Sequence, residues 1–437
     1  MGGQGTAAGG GQPRLFYGWY IVAVALLANF MSTGTTFYIF NAFMLPLCQA
    51  HGWTRAQINA APMLGFVFGL MGQFAYGSLL LRVGPRSLMT VGPVVSCLAF
   101  VLLGRVESIG AFYALFVLLY LGNGAMNGIV ANTAVSNWFE HKRGQALGMA
   151  TAGMSVSGVL LPYLALVLME RYQLSGAFLV VGLMILAVSP LAWLVVRTSP
   201  ESCGLRPDGL PRVTWGEHPP NLAGYEHAEA EARQWSSGQT MRQGVFWRLG
   251  AAYALAMMGA VGVMFQLAPR FQDLGFTSSA AILLTAAVAL LGTAGKFVWG
   301  LFCDWWEPRR VVAVLIVSKA VGLALGLDHG HAWVLVLFIL VFGFAMGGVI
   351  STFPVMAAHI FGRRSFPVVY RLLVLFLALQ GLGYLVMGQS YDLAGSYDPA
   401  FVCFLVLDLA AAGLILSLKR PSPPAGPQRE RTWRRLP

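Results

Sequence analysis

Three ionisable side chains, Lys296, Lys319 and Asp408, sit inside otherwise apolar runs of the chain. A charge in hydrocarbon costs about 2.5 to 3.5 kcal/mol even on lenient insertion scales, so each position is a candidate for function. Lys319 and Asp408 lie about ten residues in from opposite ends of their runs. At about 1.5 Å per residue both fall near mid-depth, where they are expected to form a buried ion pair. Lys296 comes about two turns before a polar loop, so its long stem either snorkels to the interface or holds an anion in the interior. Polar residues recurring on one helical face can line a water-filled cavity. Tyr120, Asn123 and Asn127 follow one another at spacings of three and four, and Gln380 and Tyr384 stand four apart. Gln266, Asn29 and the stretch Ser32-Thr33-Gly34-Thr35-Thr36 complete the set. Each can equally make a hydrogen bond between helices; taken together around Lys296, they are the candidate substrate-binding residues. One cation in such a cavity suits a monoanion better than a dianion, whose second carboxylate would be desolvated without a partner.

Composition sets the elements that must position these residues. The chain of 437 residues is 57% hydrophobic and 10% charged, against about 25% charged residues in a soluble domain. A soluble fold of this length could not hide so much apolar surface. Stretches long enough to cross roughly 30 Å of hydrocarbon begin near Tyr17, Ala56, Leu88, Ala111, Gly144 and Gly176, and again near Val245, Ser279, Val311, Ala332, Pro367 and Pro399. The expected fold is an all-α polytopic membrane protein, with about twelve transmembrane helices in two six-helix halves. Its parts are a tail at 1–14, a first half at 15–197, an aqueous linker at 198–243 rich in Pro, Gly, Glu and Arg, a second half at 244–419 and a basic tail at 420–437.

The formal charge of +11 would suggest nucleic acid in a soluble protein, but here the basic residues lie between apolar runs and report topology. With a cytoplasmic amino terminus, Arg82/Arg86, Lys142/Arg143, Arg309/Arg310, Arg363/Arg364, the linker and the tail from Lys419 to Arg435 all fall inside. Only Arg55, Arg105, Arg171 and Arg270 remain on the opposite face. Both termini are therefore expected in the cytoplasm, with the lipid bilayer and no nucleic acid as partner. The five cysteines are odd in number, scattered and without C-x-x-C spacing, which reads as packing rather than a disulfide or zinc framework. No cleavable signal peptide is apparent, and Met1-Gly2 with Thr6 matches the myristoylation pattern only weakly. No H-E-x-x-H, G-x-S-x-G or P-loop pattern occurs in a fitting context, and His329-Gly330-His331 belongs to a short outer loop. The reading is of a non-enzyme with no cofactor and no metal.

The run Gly77-Ser78-Leu79-Leu80-Leu81-Arg82-Val83-Gly84-Pro85-Arg86 recurs as Gly300-Leu301-Phe302-Cys303-Asp304-Trp305-Trp306-Glu307-Pro308-Arg309-Arg310, after the second apolar stretch of each half. Glycine there permits close helix approach, and the charges can tie the halves together when the inside is shut. Gly77, Arg82, Gly84, Arg86, Arg143, Asp304, Arg309 and Arg310 are the candidate gating residues. This parallel repeat and its loop resemble the major facilitator superfamily. Leu81 stands where that family usually has Asp, so only Asp304 keeps the acidic part and the first-half gate is expected to be weaker.

Four further motifs narrow the resemblance. Tyr17-Gly18-Trp19-Tyr20-Ile21-Val22 opens the first helix. Asn137-Trp138-Phe139-Glu140-His141-Lys142-Arg143-Gly144-Gln145-Ala146 leads into a fifth helix bearing Gly148, Gly153, Gly158 and Pro162. Pro200-Glu201-Ser202-Cys203-Gly204-Leu205-Arg206-Pro207-Asp208-Gly209 follows the sixth, and Tyr391-Asp392-Leu393-Ala394-Gly395-Ser396-Tyr397 lies near the end. In this order they resemble monocarboxylate carriers and the related bacterial oxalate/formate antiporters over nearly the whole chain. The helix-five glycines read as close-packing positions, not substrate contacts.

The resemblance implies a monomeric secondary transporter of a lactate- or pyruvate-like acid, working by alternating access in a bacterial inner membrane, with a small organic anion and protons as candidate partners. It also places Lys296 where those carriers usually hold a substrate-binding arginine. Lysine keeps that charge but loses the planar fork that grips both carboxylate oxygens. Lys319 and Asp408 fall on helices peripheral in the family, which favours a structural pair. Proton coupling stays open: animal relatives carry an Asp one turn before the substrate cation and a Lys in the first helix, whereas this chain has Gly292 and no such basic residue. His359 is the group that could titrate near neutral pH. Two alternatives remain. An exchanger of oxalate/formate type would need Arg371, near the inner end, as its usual second cation. A non-transporting membrane sensor would need an output domain that neither tail nor linker is apolar enough to form.

Overall fold

The computed structural model describes residues 16–209 and 235–421. The expected amino-terminal tail, the middle of the linker and most of the basic tail lie outside those residues. Among the described residues the chain is helical, without strands. The first half comprises α1 (Gly18–Thr33), a π-turn (Gly34–Tyr38), α2 (Ile39–His51), α3 (Arg55–Leu103), α4 (Ile109–Gly124), α5 (Ile129–Trp138), α6 (Arg143–Leu186) and α7 (Val188–Val195). The second comprises α8 (Ser237–Met241), α9 (Gly244–Asp273), α10 (Ser278–Trp305), α11 (Pro308–Leu325), α12 (Ala332–Phe361), α13 (Phe366–Leu373), a 3-10 stretch (Val374–Gly381), α14 (Leu382–Ala394) and α15 (Asp398–Leu416).

A straight α3 of 49 residues would reach about 74 Å, more than twice the hydrocarbon thickness of roughly 30 Å. It breaks at Gly84, whose φ of 73° suits a residue without a Cβ and whose closest neighbour is the Thr198 side chain. The 44 residues of α6 break likewise at Gln173, φ 59°, where neither Gly nor Pro announces a turn. Nine helical stretches among the described residues are long and apolar enough to cross a membrane. Pro308–Leu325 is not one of them, because Arg309, Arg310 and Lys319 load its 18 residues. Large apolar side chains face outward all round the bundle, among them Leu393 at 87%, Met63 at 73% and Leu283 at 70% exposure. Such a surface is suited to hydrocarbon rather than water.

At the end of the bundle where Val195 and Gly244 lie, here called the linker end, the aromatic motifs have a clear physical task. The Tyr17 hydroxyl donates to the Val195 carbonyl at 2.8 Å, Trp138 Nε1 to the Arg197 carbonyl at 3.0 Å, and the rings of Tyr17 and Trp138 lie 5.2 Å apart. They lash the start of α1 and the end of α5 to the segment after α7. Both flanks of the linker are docked rather than freely solvated. The Asp208 carboxylate accepts from the backbone N–H groups of Glu140 at 2.9 Å and His141 at 2.7 Å, and the Trp235 N–H donates to Ser365 Oγ at 3.0 Å. Near the opposite end of the second half, Gly395 takes a left-handed conformation, φ 66°, and stops α14.

Candidate substrate site and gate

The two halves meet along two seams, α6 against α10 and α3 against α13. On the first, a Cβ at Gly144 would land on the Gly300 carbonyl oxygen, and one at Gly148 would crowd the Lys296 carbonyl. Backbones therefore touch across the halves, which only small residues allow. Gly153 and Gly158 serve the first half internally, against Leu26 and Tyr38.

Lys296 projects from α10 into this seam. It is 7% exposed, and its Nζ donates to Ser155 Oγ at 2.7 Å and to the Thr151 carbonyl at 3.4 Å, both on α6 of the other half. Both partners are neutral, and among the described residues no carboxylate forms an ion pair with Lys296. Snorkelling is excluded as the observed pose, since the ammonium lies between helices rather than at the bundle's edge. Eight residues, about 12 Å of helix, separate it from Asp304 at the linker end.

The polar set divides. Asn29 Nδ2 donates to the Ala150 carbonyl at 2.9 Å, Asn123 Nδ2 to Thr35 Oγ1 at 3.2 Å, and Asn127 Nδ2 to Ser32 Oγ at 2.7 Å. These bonds tie α1 to α6 and to the α4–α5 region, all within the first half. Among the described residues, nothing hydrogen-bonds the buried Asn29 Oδ1 and Asn123 Oδ1. The Tyr120 ring packs over Gly65 and Gly69. In the second half, Gln266 Oε1 accepts from the Tyr397 hydroxyl at 3.4 Å, Tyr384 stacks edge-on against Phe265 at 4.5 Å, and Gln380 is half-buried on the 3-10 stretch. Asn127 is not on a continuous helix with Tyr120 and Asn123, as the spacing suggested, because the backbone breaks between α4 and α5. Gly128 has φ 57° and ψ −120° there, and Gln73 bridges the gap by donating to the Gly124 carbonyl at 3.1 Å and accepting from the Ile129 N–H at 2.9 Å. Sequence reasoning passed over Gln73, although the Asn127-Gly128 dipeptide is a turn signal that could have exposed the break. The π-turn of the first helix, the α4–α5 break and the 3-10 stretch thus coincide with Thr35, Asn127 and Gln380. Irregular backbone at membrane depth is where carriers commonly hold solutes.

The gating residues behave less uniformly than the repeat suggested. Asp304 reaches across the first seam, its carboxylate accepting from the N–H groups of Gly144 at 2.6 Å and Gln145 at 2.7 Å. The start of α6 has no side-chain cap from its own N-cap residue, so an acid from the other half satisfies its orphan donors and meets the positive end of its dipole. Arg143, buried beside this contact, donates to the Phe139 carbonyl at 3.1 Å. The arginines of the two loops do not tie the halves together as expected. Arg86 donates to the Trp193 carbonyl at 3.0 Å, Arg309 and Arg310 hold Glu307, and Arg82 is exposed. Two arginines outside that set do the bridging. Arg363 donates to the Asn137 carbonyl at 2.7 Å and pairs with Glu201, while Arg371, packed on Gly77, donates to Ser78 Oγ and to Ser237 Oγ, the latter at 2.6 Å. The second seam, which lacks an acid at Leu81, is thus held by Arg371 and Ser78.

Lys319 Nζ stands 2.9 Å from Asp408 Oδ1, with both side chains fully buried, and also donates to the Ala256 carbonyl. The pair joins α11, α15 and α9 inside the second half, away from the seams. His359 lies at the linker end with its Nδ1 3.1 Å from Arg420 Nη2, and His329 stands 3.1 Å from Asp398.

This architecture matches known proteins. The sequence profile of the Major Facilitator Superfamily matches residues 24–379 and, in a second overlapping alignment, 249–436, so the chain belongs to that superfamily. It is an integral, multi-pass membrane protein of a transporter family. It is 24% identical over 349 residues to the oxalate:formate antiporter of Oxalobacter formigenes, covering 79% of this chain and 78% of that one. It is 23% identical over 409 residues to monocarboxylate transporter 13 of Rattus norvegicus, covering 92% and 89%. Among solved structures, the superfamily transporter FucP in the outward conformation superposes with a TM-score of 0.69 at 16% identity, over 92% of this chain and 100% of that one.

Proposed function

We propose that the chain is a secondary transporter that carries a small, lactate- or pyruvate-like monocarboxylate between its two halves by alternating access, across twelve helical crossings, with Lys296 as the anion-binding cation. The observation that supports this most is the Lys296 ammonium, which is buried on the seam and bonded only to neutral oxygens of the other half. A desolvated cation without a counter-ion is costly, and an arriving carboxylate offsets that cost. To accept the anion, Lys296 exchanges Ser155 for it, which loosens the seam at mid-depth. Parting of Gly144 from Gly300 and release of Asp304 then opens the linker end. The crowding of Arg82, Arg86, Arg309, Arg310, Arg363 and Arg364 near that end supports a cytoplasmic orientation for it, with the present form shut toward the cytoplasm. One point charge suits one carboxylate.

The deciding experiment is uptake of labelled acid into liposomes holding the purified protein. Lys296→Ala is expected to abolish saturable uptake, while Lys296→Arg retains it; undiminished uptake by the alanine variant overturns the assignment. Exchange of the oxalate/formate kind is the second reading, favoured by the similarity to the antiporter. Internal pH recorded during uptake separates the two: acidification that follows the acid marks proton symport, whereas uptake that requires a preloaded anion marks exchange.

A further inference from the structure

We infer that the linker end of the second half binds an anionic phospholipid, its phosphate in a basic cavity and an acyl chain along an apolar groove on α11. The cavity, about 560 Å³, is lined by Glu307, Arg309, His359, Ile360, Lys419 and Arg420. Its one carboxylate is already engaged by Arg309 and, at 3.0 Å, by Arg310. Lys419 and Arg420 are exposed at its rim, and Arg420 leans on the His359 ring at 3.1 Å. The balance of charge favours an anion, and a basic pocket between helices at the membrane surface is what a phosphate headgroup requires.

A second cavity of about 510 Å³ runs past Arg310, Val314, Val317 and Val321 with Val341 and Leu416. The α11 residues fall on one helical face, and Arg310 to Val321 spans about 16 Å, roughly the depth of one leaflet. The two cavities draw on neighbouring residues: Arg309 lines the first and Arg310 the second, and near the end of α15 Lys419 lines the first and Leu416 the second. Trp305 and Trp306, 64% and 60% exposed, immediately precede Glu307. Indoles settle at headgroup level, which sets the cavity at that depth. Free phosphate would account for the cations but not the groove, and a neutral lipid for the groove but not the cations.

The test uses the purified full chain in detergent, titrated with phosphatidylglycerol, phosphatidylcholine or inorganic phosphate, with bound lipid counted by native mass spectrometry. Phosphatidylglycerol is expected to bind in preference to phosphatidylcholine and to resist displacement by equimolar phosphate. The double variant Lys419→Gln with Arg420→Gln, both exposed and outside the transport machinery, should weaken it about 30-fold, at about 1 kcal/mol per basic residue. Val317→Trp, which fills the groove, should weaken it independently. Equal binding of phosphatidylcholine overturns the proposal. So does full displacement by phosphate together with an inert Val317→Trp, which would mark a soluble-phosphate site instead.

Discussion

Lys296 and Lys319 are both buried lysines, and their surroundings answer the charge differently. Lys319 meets Asp408 at 2.9 Å and a backbone carbonyl, so its charge is answered from within one half. Removing one partner strands the other in a dry site, which costs about 3 to 5 kcal/mol, whereas replacing both by apolar groups of similar volume is close to neutral. Lys319→Met alone should therefore lower the thermal midpoint sharply, and adding Asp408→Leu should recover most of the loss. Additive losses in the double variant would show that the two charges are not coupled. Uptake by the double variant should persist, since neither residue lies on a seam. For the first-half asparagines, the side-chain type pointed to polarity inside the bundle but not to its use. Asn29 and Asn127 are engaged with neighbouring helices at 2.9 and 2.7 Å, and such partners, more than 90 residues away in sequence, leave no local trace.

Among the elements, the breaks matter more than the helices. Gly128 holds φ 57° and ψ −120°, a region costing other residues about 1 to 3 kcal/mol, and a Cβ there would approach Gln73 Oε1 at 2.6 Å. Gly128→Ala should reduce uptake more than it reduces folding yield, and Gln73→Leu should do the same by leaving the Gly124 carbonyl and Ile129 N–H unpaired. A wild-type uptake rate in both variants would remove the α4–α5 break from the transport path. At the α6–α10 seam, Gly144→Val cannot be accommodated without backbone separation. It should abolish uptake and expose a cysteine introduced as Thr151→Cys to a membrane-impermeant maleimide added from the linker side. The elements themselves were largely legible in the sequence. Apolar runs marked helices long enough to span a bilayer, the duplicated Gly77 and Gly300 loops marked the inner loops of the two halves, and Gly84 marked its own turn. The break of α6 at Gln173 falls between the apolar stretches read from Gly144 and from Gly176, so its place was legible although neither Gly nor Pro marks the residue itself. Arg363 and Arg371 escaped because their partners, Asn137, Glu201 and Ser78, lie 162 to 293 residues away in sequence and leave no local trace.

For the whole molecule, closure at the linker end rests on few polar contacts, among them the ion pair of Glu201 with Arg363. Burial pushes the Glu201 carboxyl up, but the hydrogen bond and charge of Arg363, with help from its own backbone and Ser199, outweigh burial and hold it below its ordinary value. A carboxyl depressed in the closed form stabilises that form above its ordinary range and loses the effect only as pH falls through the lowered value. Between about pH 5 and 8 it stays ionised. Glu201→Gln should therefore change the rate of opening by the same factor across that interval and leave the shape of the uptake profile against pH untouched. A change of shape would mean that this contact takes part in proton coupling. The Ser155 contact of Lys296 has a further consequence for net flux. If Lys296 is the anion-binding cation proposed above, an empty carrier whose ammonium keeps its bonds to Ser155 and the Thr151 carbonyl returns more readily than one stripped of them, so one-way accumulation is open to it. Were Ser155 made alanine, the unloaded return would become the slow step, and the protein would drift toward swapping one anion for another.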